Sequence, residues 1–248
     1  MSRRVRIAIF LPAAGLLGFL LTWSLVAIPH FGDYRGPYGY VLNRVVVPER
    51  HMTNVVTAVV FDYRGFDTMG EEFILFIAVM GVVLLLRKGG RKESDELDDS
   101  VGSDGVRVGG TLAVGACVLV SLWLISYGFV TPGGGFQGGA ALASSVLLVF
   151  LVSSYKAWTG VASDHVLDPF EGVRAGGYVV IGLGALIGGL PFLTNVLAPG
   201  VAGTLWSGGS AAFVNWSARM EVAAAILILF TEFIGEYVVP LAAADTAG

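Results

Sequence analysis

The stretch EVAAAILILFTEFIGEYVV, residues 221–239, decides the fold, because it is long and apolar enough to cross a membrane as a helix. Glu232 lies within this apolar stretch. An ionisable side chain deep in a bilayer costs about 2.5 to 3.5 kcal/mol on the mild insertion scale, so such groups usually face a polar cavity or a partner. The stretch therefore indicates a membrane protein that moves charge.

The whole chain has the composition of a polytopic membrane protein. Of its 248 residues, 55% are hydrophobic and 14% are charged, and the mean hydropathy is +0.75, which argues against a soluble core. The formal charge of −4 comes without a basic cluster, so a nucleic-acid partner is not expected. One cysteine and three histidines show no metal-ligand spacing, so we expect no metal and no cofactor.

Six apolar runs are long enough to cross a hydrocarbon layer of about 30 Å. They cover residues 5–28, 66–86, 111–130, 140–158, 175–193 and 219–239. The sequence thus predicts an all-α integral membrane protein with six transmembrane helices and both termini on one side. Most lysines and arginines lie on that side, and the exceptions are Arg35, Arg44, Arg50, Arg64 and Arg219. The positive-inside bias then places both termini in the cytoplasm and the chain in the cell membrane.

A charged segment rich in glycine and serine, residues 88–108, interrupts the apolar texture. A solvated cytoplasmic linker is favoured over an acidic docking tail. This predicts a two-helix N-terminal module, residues 1–87, and a four-helix domain, residues 109–248.

The turn between the third and fourth predicted spans is the glycine-rich sequence TPGGGFQGG, residues 131–139. It lacks the lysine of a phosphate-binding loop. Two interpretations remain, a tight connector or irregular backbone packed closely against a partner, and we favour the second. The proposed assembly residues are Pro132, Gly133, Gly134, Gly135, Phe136, Gln137, Gly138 and Gly139.

Helical spacing of apolar residues predicts a short amphipathic helix near residues 53–64, lying on or partly entering the outer face of the membrane. Asp62 and Arg64 lie near its end, as supporting residues of the candidate site.

Three acids follow this helix, Asp67, Glu71 and Glu72, and the next predicted span begins close enough to place them near the membrane. Asp67 and Glu71 share one helix face, so one of them should hold a proton more tightly than the other. The alternative is that Arg64 and Arg50 neutralise acids at the helix N-terminus, a role that suits Glu72 better than the other two acids.

The last span carries acids at three depths. Glu232 is eleven residues beyond Glu221, or roughly 16 Å along a helix, which is close to the midplane. Glu221 has an ordinary explanation in a pair with Arg219, and Glu236 has one in the cytoplasmic headgroup zone. Glu232 has neither. The candidates for an ion or proton path are Asp67, Glu71, Glu72, Glu221, Glu232 and Glu236.

These segments carry a family resemblance. TPGGGFQGGA, residues 131–140, and MEVAAAILILFTEF, residues 220–233, resemble the B subunit of Mrp/Mnh-type multisubunit sodium/proton antiporters. NVVTAVVFDYRGFDTMGEE, residues 54–72, is similar to the C-terminal region of the large A-type antiporter protein and to small subunits of energy-converting membrane hydrogenases.

The resemblance implies a non-catalytic transporter subunit in an assembly related to respiratory complex I. Its implied partners are antiporter subunits of the A, C, D, E, F and G types, the lipid bilayer, and the ions Na⁺ and H⁺. The large pumping subunits use lysines at mid-membrane, whereas Lys88, Lys92 and Lys156 lie at predicted cytoplasmic ends. This chain is therefore not expected to transport alone.

Two alternatives stay open. The chain could serve in the ion-translocating membrane arm of a hydrogenase or a related oxidoreductase. In a different class, it could be a structural scaffold whose acids stay protonated.

Overall fold

The computed structural model describes residues 3–28, 36–86, 102–134, 136–161 and 164–245, and this part is mostly helical. The α-helices are α1 Arg3–Val26, α2 Pro37–Arg50, α3 Val55–Ala58, α4 Gly65–Leu86, α5 Asp104–Tyr127, α6 Gln137–Val152, α7 Tyr155–Val161, α8 Asp164–Ile187 and α9 Ser210–Asp245. A π-helical turn, Val59–Tyr63, follows α3 directly. The chain forms two compact units, residues 1–41 and 42–248.

The first unit contains α1, whose described side chains are nearly all exposed within the chain. Arg3 and Arg4 begin this helix, and apolar residues follow almost without interruption. Such a surface suits lipid or neighbouring helices, since a helix that is apolar all round is not stable in water.

In the second unit, α9 is the central helix, because it packs against α4, α5, α6 and α8. Its first half is rich in alanine, which lets the neighbouring helices approach closely. The alanines buried there are Ala211, Ala212, Ala218, Ala223, Ala224 and Ala225. Among the described residues, three clusters of buried side chains form the core of the unit, around Val46 with Phe129, Phe61 with Tyr178, and Tyr155 with Trp158.

Capping residues fix where two helices begin. Asn54 accepts a hydrogen bond from the Thr57 amide at 3.2 Å and so caps α3. Ser103 accepts from the Val106 amide at 3.5 Å, and α5 starts at the next residue. Both side chains satisfy amides that the first helical turn leaves without partners.

The predicted spans correspond to helices with several shifts. By length and composition, α1, α4 and α5 could each cross a membrane, and Gln137–Val152 and Gly176–Ile187 are shorter apolar helices. The predicted fourth span is broken at Ser153, where the backbone leaves the helical region, so α6 and α7 are separate. Helix α8 begins at Asp164, earlier than residue 175. The count of six spans and the side on which the termini lie stay predictions.

The N-terminal module contains one helix that was not expected from the sequence, α2, which carries Pro48 near its end. The amphipathic segment near residues 53–64 is present as α3 and the π-helical turn. Most of the predicted linker, residues 88–101, lies outside the described residues, and α5 already begins within its last part.

Candidate functional site

Three connecting segments lie together in the second unit, since the first forms hydrogen bonds with both of the others. They are residues 51–64, residues 128–134 at the start of the glycine-rich turn, and residues 188–209 between α8 and α9. Asn54 joins the first two, since its side-chain amide donates to the carbonyls of Gly128, Thr131 and Gly133 at 2.8 to 3.1 Å. The Thr57 hydroxyl also donates to Gly128, at 2.9 Å. The turn is thus held by the chain's own N-terminal segment.

Arg219 of α9 holds the same turn from the other side. Its side chain is only 2% exposed, and its guanidinium donates to the carbonyl of Leu124 at 2.5 Å and to that of Gly134 at 3.0 Å. These carbonyls belong to the end of α5 and to the turn, where helical partners are missing. The sequence suggested a pair between Arg219 and Glu221, but residues two apart on a helix face different directions. The Arg219 guanidinium instead binds the two carbonyls.

Close approach around Arg219 explains two of the glycines. A Cβ on Gly128 would overlap the Arg219 guanidinium, and a Cβ on Gly139 would overlap the Arg219 carbonyl oxygen. Only glycine leaves room for these contacts. Within the motif, close packing is found at Gly139, against α9 of the same chain, while Pro132 and Gln137 remain exposed. Packing of the motif against a partner stays a prediction. Gly135 lies outside the described residues.

The central feature of the site is a pair of buried carboxyl groups. Glu72 of α4 is 3% exposed and Glu221 of α9 is 2% exposed, and both line the same small cavity. Two buried carboxyl groups side by side repel when both are ionised, so one of them should hold a proton more tightly than the other. The arrangement therefore suits the transfer of a proton.

Helix α8 closes the site. Tyr178 and Val179 line a small cavity with Glu72 and Glu221, which has room for about one water molecule. The Tyr178 hydroxyl donates to the Gly65 carbonyl at 2.6 Å, so α8 is fixed to the first turn of α4. The carboxyl pair thus lies where three helices meet.

A second polar cluster lies among the connectors, around Asp62. Arg50 Nε is 3.0 Å from Asp62 Oδ2, and the Asn195 side-chain amide donates to the same oxygen at 3.2 Å. Asn195 also binds the N-terminus of α9, since its oxygen accepts from the Ser210 amide at 2.7 Å. Burial raises the pKa of Asp62, and the Asn195 hydrogen bond and the Arg50 charge oppose this shift.

The other candidate acids are placed differently. Asp67 is exposed and paired with Arg64, and Glu71 is exposed on α4. Glu232 is half-buried, and no hydrogen bond or ion pair involves it within the described part of the chain. Glu236 lies in α9 near its end. The structure thus brings Glu72 and Glu221 together in a buried site, and it leaves Asp67 and Glu71 exposed on α4.

Sequence reasoning missed the contact itself and the residues that frame it. Tyr178 gave no signal, because a tyrosine in an apolar run is ordinary in membrane helices. The adjacent acids Glu71 and Glu72 point about 100° apart on a helix, so only the packing of α4 decides which one is buried.

The fold and the site define a mostly helical membrane protein with a buried carboxyl pair at a junction of helices. Residues 106–228 match the family described as a domain related to the MnhB subunit of a Na⁺/H⁺ antiporter. Residues 2–99 match the family described as the E subunit of MBH, named MbhE. These two matches confirm the resemblance seen in the sequence.

Two curated relatives are similar over part of their length. An uncharacterized protein of Methanocaldococcus jannaschii is 35% identical over 167 residues, which are 60% of this chain and 62% of the relative. A probable A/B subunit of a K⁺/H⁺ antiporter from Rhizobium meliloti is 29% identical over 168 residues, 58% of this chain and 16% of that protein. The matched region is less than two thirds of either relative.

Two solved structures share the fold. One chain comes from the membrane-bound sulfane sulfur reductase, an archaeal respiratory membrane complex, with a TM-score of 0.66 and 29% identity over 91% of this chain and 98% of that chain. The other comes from the Mrp complex of Dietzia sp. DQ12-45-1b, with a TM-score of 0.69 and 21% identity over 94% of this chain and 26% of that chain. The second likeness shows the fold alone.

Proposed function

We propose that this chain is a non-catalytic membrane subunit of a multisubunit cation/proton antiporter related to complex I, and that Glu72 and Glu221 form a proton relay within it. The observation that carries the proposal is the placement of two buried carboxyl groups, from α4 and α9, on the wall of one small cavity. The MnhB-related domain supports the antiporter context. The cell membrane, cytoplasmic termini and the other antiporter subunits belong to the same proposal.

The pair suits a relay because its two acceptors hold one proton between them. Moving that proton from one carboxylate to the other leaves the net charge of the buried site unchanged, so the transfer avoids the cost of a second buried charge. Glu232, about 16 Å further along α9, would be a second station. Because Glu232 is only half-buried in this chain, a neighbouring subunit would complete its surroundings.

The proposal is tested in the purified complex reconstituted into vesicles, with a pH-sensitive dye reporting cation-dependent proton flux. We expect Glu72→Gln and Glu221→Gln each to lower the flux at least about tenfold, since removing a relay group typically costs about a hundredfold or more. Co-purification of the other subunits must be unchanged. Asp104→Asn is the matched control, because this carboxyl is 86% exposed at the start of α5.

Glu71 and Glu72 are neighbours on α4, but Glu71 is exposed and Glu72 is buried. Their separate variants therefore show which of the two acids carries the proton. If Glu71→Gln stops the flux and Glu72→Gln does not, the relay lies on the exposed flank of α4 and the buried pair is excluded. If all these variants assemble and transport normally, the chain is a scaffold.

A second candidate function is the membrane arm of a redox-driven ion pump. It is supported by the likeness to the chain of the sulfane sulfur reductase, which extends over nearly the whole of both chains, and by the MbhE domain. Iron–sulfur subunits that co-purify with the tagged chain, together with proton flux that starts only on adding an electron donor, would select this function over antiport.

A further inference from the structure

The connector between α8 and α9, residues 188–209, contains no charged residue. The large apolar side chains that it exposes are Leu190, Val196, Leu197, Val201 and Trp206, which are 44% to 80% exposed. Large exposed apolar surfaces on a protein mark contact with a membrane, a ligand or another protein. The connector is therefore poorly suited to lie in water.

Four side chains of the connector carry a hydroxyl or an amide, and each forms a hydrogen bond within the chain. The hydroxyls donate to backbone carbonyls of the connector itself at 2.7 to 2.8 Å, and they belong to Thr194, Thr204 and Ser207. The Asn195 amide donates to the Asp62 carboxylate at 3.2 Å. Polar groups that leave water are costly unless they have such partners. The connector thus turns its polar side chains inward and suits a medium that is poor in water.

Residues 200–207 form a tight turn that is closed by an antiparallel bridge. The Val201 amide donates to the Trp206 carbonyl at 3.2 Å. Gly200 has a φ of +68°, and a Cβ at this position would overlap the Trp206 carbonyl oxygen, so the turn requires glycine there. The His51 ring binds the Gly200 carbonyl from outside the connector. The exposed side chains of Val201 and Trp206 are therefore held at a fixed place.

The apolar part of α8 is short for a membrane crossing. It covers Gly176–Ile187, and the helix carries Glu171 and Arg174 before it. This apolar part is about 18 Å long at the rise of an α-helix, whereas the hydrocarbon layer is about 30 Å thick. Ile187 is 89% exposed, so the apolar surface of α8 continues into the connector. If Gly176 lies at one boundary of the hydrocarbon layer, the connector passes through the other boundary.

We propose that the connector, residues 188–209, lies in the interfacial layer of the membrane, where Val201 and Trp206 contact lipid. Irregular backbone is not tolerated against lipid in the hydrocarbon core, which places the connector at the boundary rather than deeper. An indole suits this depth, because its ring is apolar and its N–H can bind to lipid headgroups or water. Together, α8 and the connector complete one crossing of the membrane.

The first experiment attaches a nitroxide spin label to Trp206→Cys in a Cys117→Ser background, with the chain reconstituted into vesicles both alone and as the purified complex. Collisions of the label with oxygen, which concentrates in lipid, are compared with its collisions with a water-soluble nickel chelate. We expect oxygen collisions to dominate in both preparations. Asp104→Cys is the water control, because this side chain is 86% exposed beside the charged linker, and there we expect the chelate to dominate.

A label at Trp206→Cys that meets the chelate as often as the label at Asp104→Cys overturns the proposal, since the connector then lies in water. A label that meets lipid in the chain alone but neither reagent in the complex also overturns it, because a partner subunit then covers the connector.

The second experiment needs no label and compares the wild-type complex with Trp206→Phe, which keeps an apolar ring. Vesicles contain lipid brominated either near the headgroup end or near the methyl end of the acyl chains, and bromine quenches nearby indoles. We expect the fluorescence that the wild type has and Trp206→Phe lacks to be quenched more strongly by bromine near the headgroup end. Stronger quenching by the deeper bromine, or equal quenching of the two proteins, contradicts an interfacial position of Trp206.

Discussion

The two halves of α9 differ in how the chain treats their charged residues. In the first half, Arg219 and Glu221 are at most 2% exposed, and both contact other segments of the chain. In the second half, Glu232 is half-buried, and Phe233 beside it is 46% exposed. The first half is therefore enclosed by other segments of this chain, whereas the second half leaves an acid only half-buried by the residues that the structure describes.

Glu232 and Glu221 are thus unusual for different reasons, the first in the sequence and the second in the fold. Glu232 stands out in the sequence because its surroundings along the chain are apolar, while Glu221 has an arginine nearby and looks ordinary. In the fold it is Glu221 that is enclosed, because residues from α4 and α8 surround it. Hydropathy along one helix reports depth in the membrane, but the enclosure of a side chain depends on which other helices pack there.

The largest effect is expected where α6 meets the first half of α9. We expect Gly139→Val to destabilise the fold by more than about 4 kcal/mol, because the new side chain overlaps the Arg219 backbone and must separate the two helices. The measurement is the fraction of purified protein that stays monodisperse in detergent after heating.

Gly184→Val on α8 is the control for that substitution, since a Cβ at Gly184 meets no atom within 4 Å among the described residues. We expect it to behave like the wild type. If Gly139→Val were equally harmless, the first half of α9 would not be tightly enclosed, and the contrast between the two halves would disappear.

The next largest effect on stability is expected at Arg219, whose guanidinium joins α9 to the glycine-rich turn. We expect Arg219→Met to cost about 3 kcal/mol, because it leaves the part-buried carbonyls of Leu124 and Gly134 without their donor. Arg219→Lys should recover part of this loss, since an ammonium cannot bind two carbonyls with the geometry of a planar fork. Unfolding in detergent measures the stability of both variants. A Lys variant that is less stable than the Met variant would contradict this account.

Much of the architecture could be predicted from the sequence. The apolar runs and the two motifs predicted the helices and the family, because length and hydropathy are properties of single segments. The partner of Glu72 could not be found in this way, since Glu221 is far away along the chain and their contact depends on how α4 and α9 are rotated. One feature could have been predicted from the sequence, since the spacing of residues on a helix places Arg219 and Glu221 on different faces.

A smaller and pH-dependent effect is expected at Asp62, among the connectors that cover the first half of α9. Burial raises its pKa in the folded state above the ordinary value of 3.8, so the folded state binds the proton more tightly than the unfolded state. Stability from this group is fully present below 3.8 and is lost as the pH rises through the raised pKa. We expect Asp62→Asn to remove that decline from a plot of unfolding midpoint against pH.

The control for the pH series is Asp67→Asn, because Asp67 is exposed and its partner is the exposed Arg64. It should keep the wild-type slope. If the unfolding midpoint of the wild type instead rises with pH over the same interval, the Arg50 and Asn195 contacts outweigh burial in setting the pKa of Asp62.

The smallest effect is expected in the second half of α9, and it tests the comparison most directly. We expect Glu232→Leu to change the stability of the isolated chain by less than about 0.5 kcal/mol, because a half-exposed side chain without a partner in the described part of the chain has little to lose. In the assembled complex the same variant should lower cation-dependent proton flux severalfold, because we propose that a neighbouring subunit completes the surroundings of Glu232 there. Unfolding in detergent and flux in vesicles give the two values. A large loss of stability in the isolated chain would show that Glu232 is already enclosed, so that the two halves of α9 are alike.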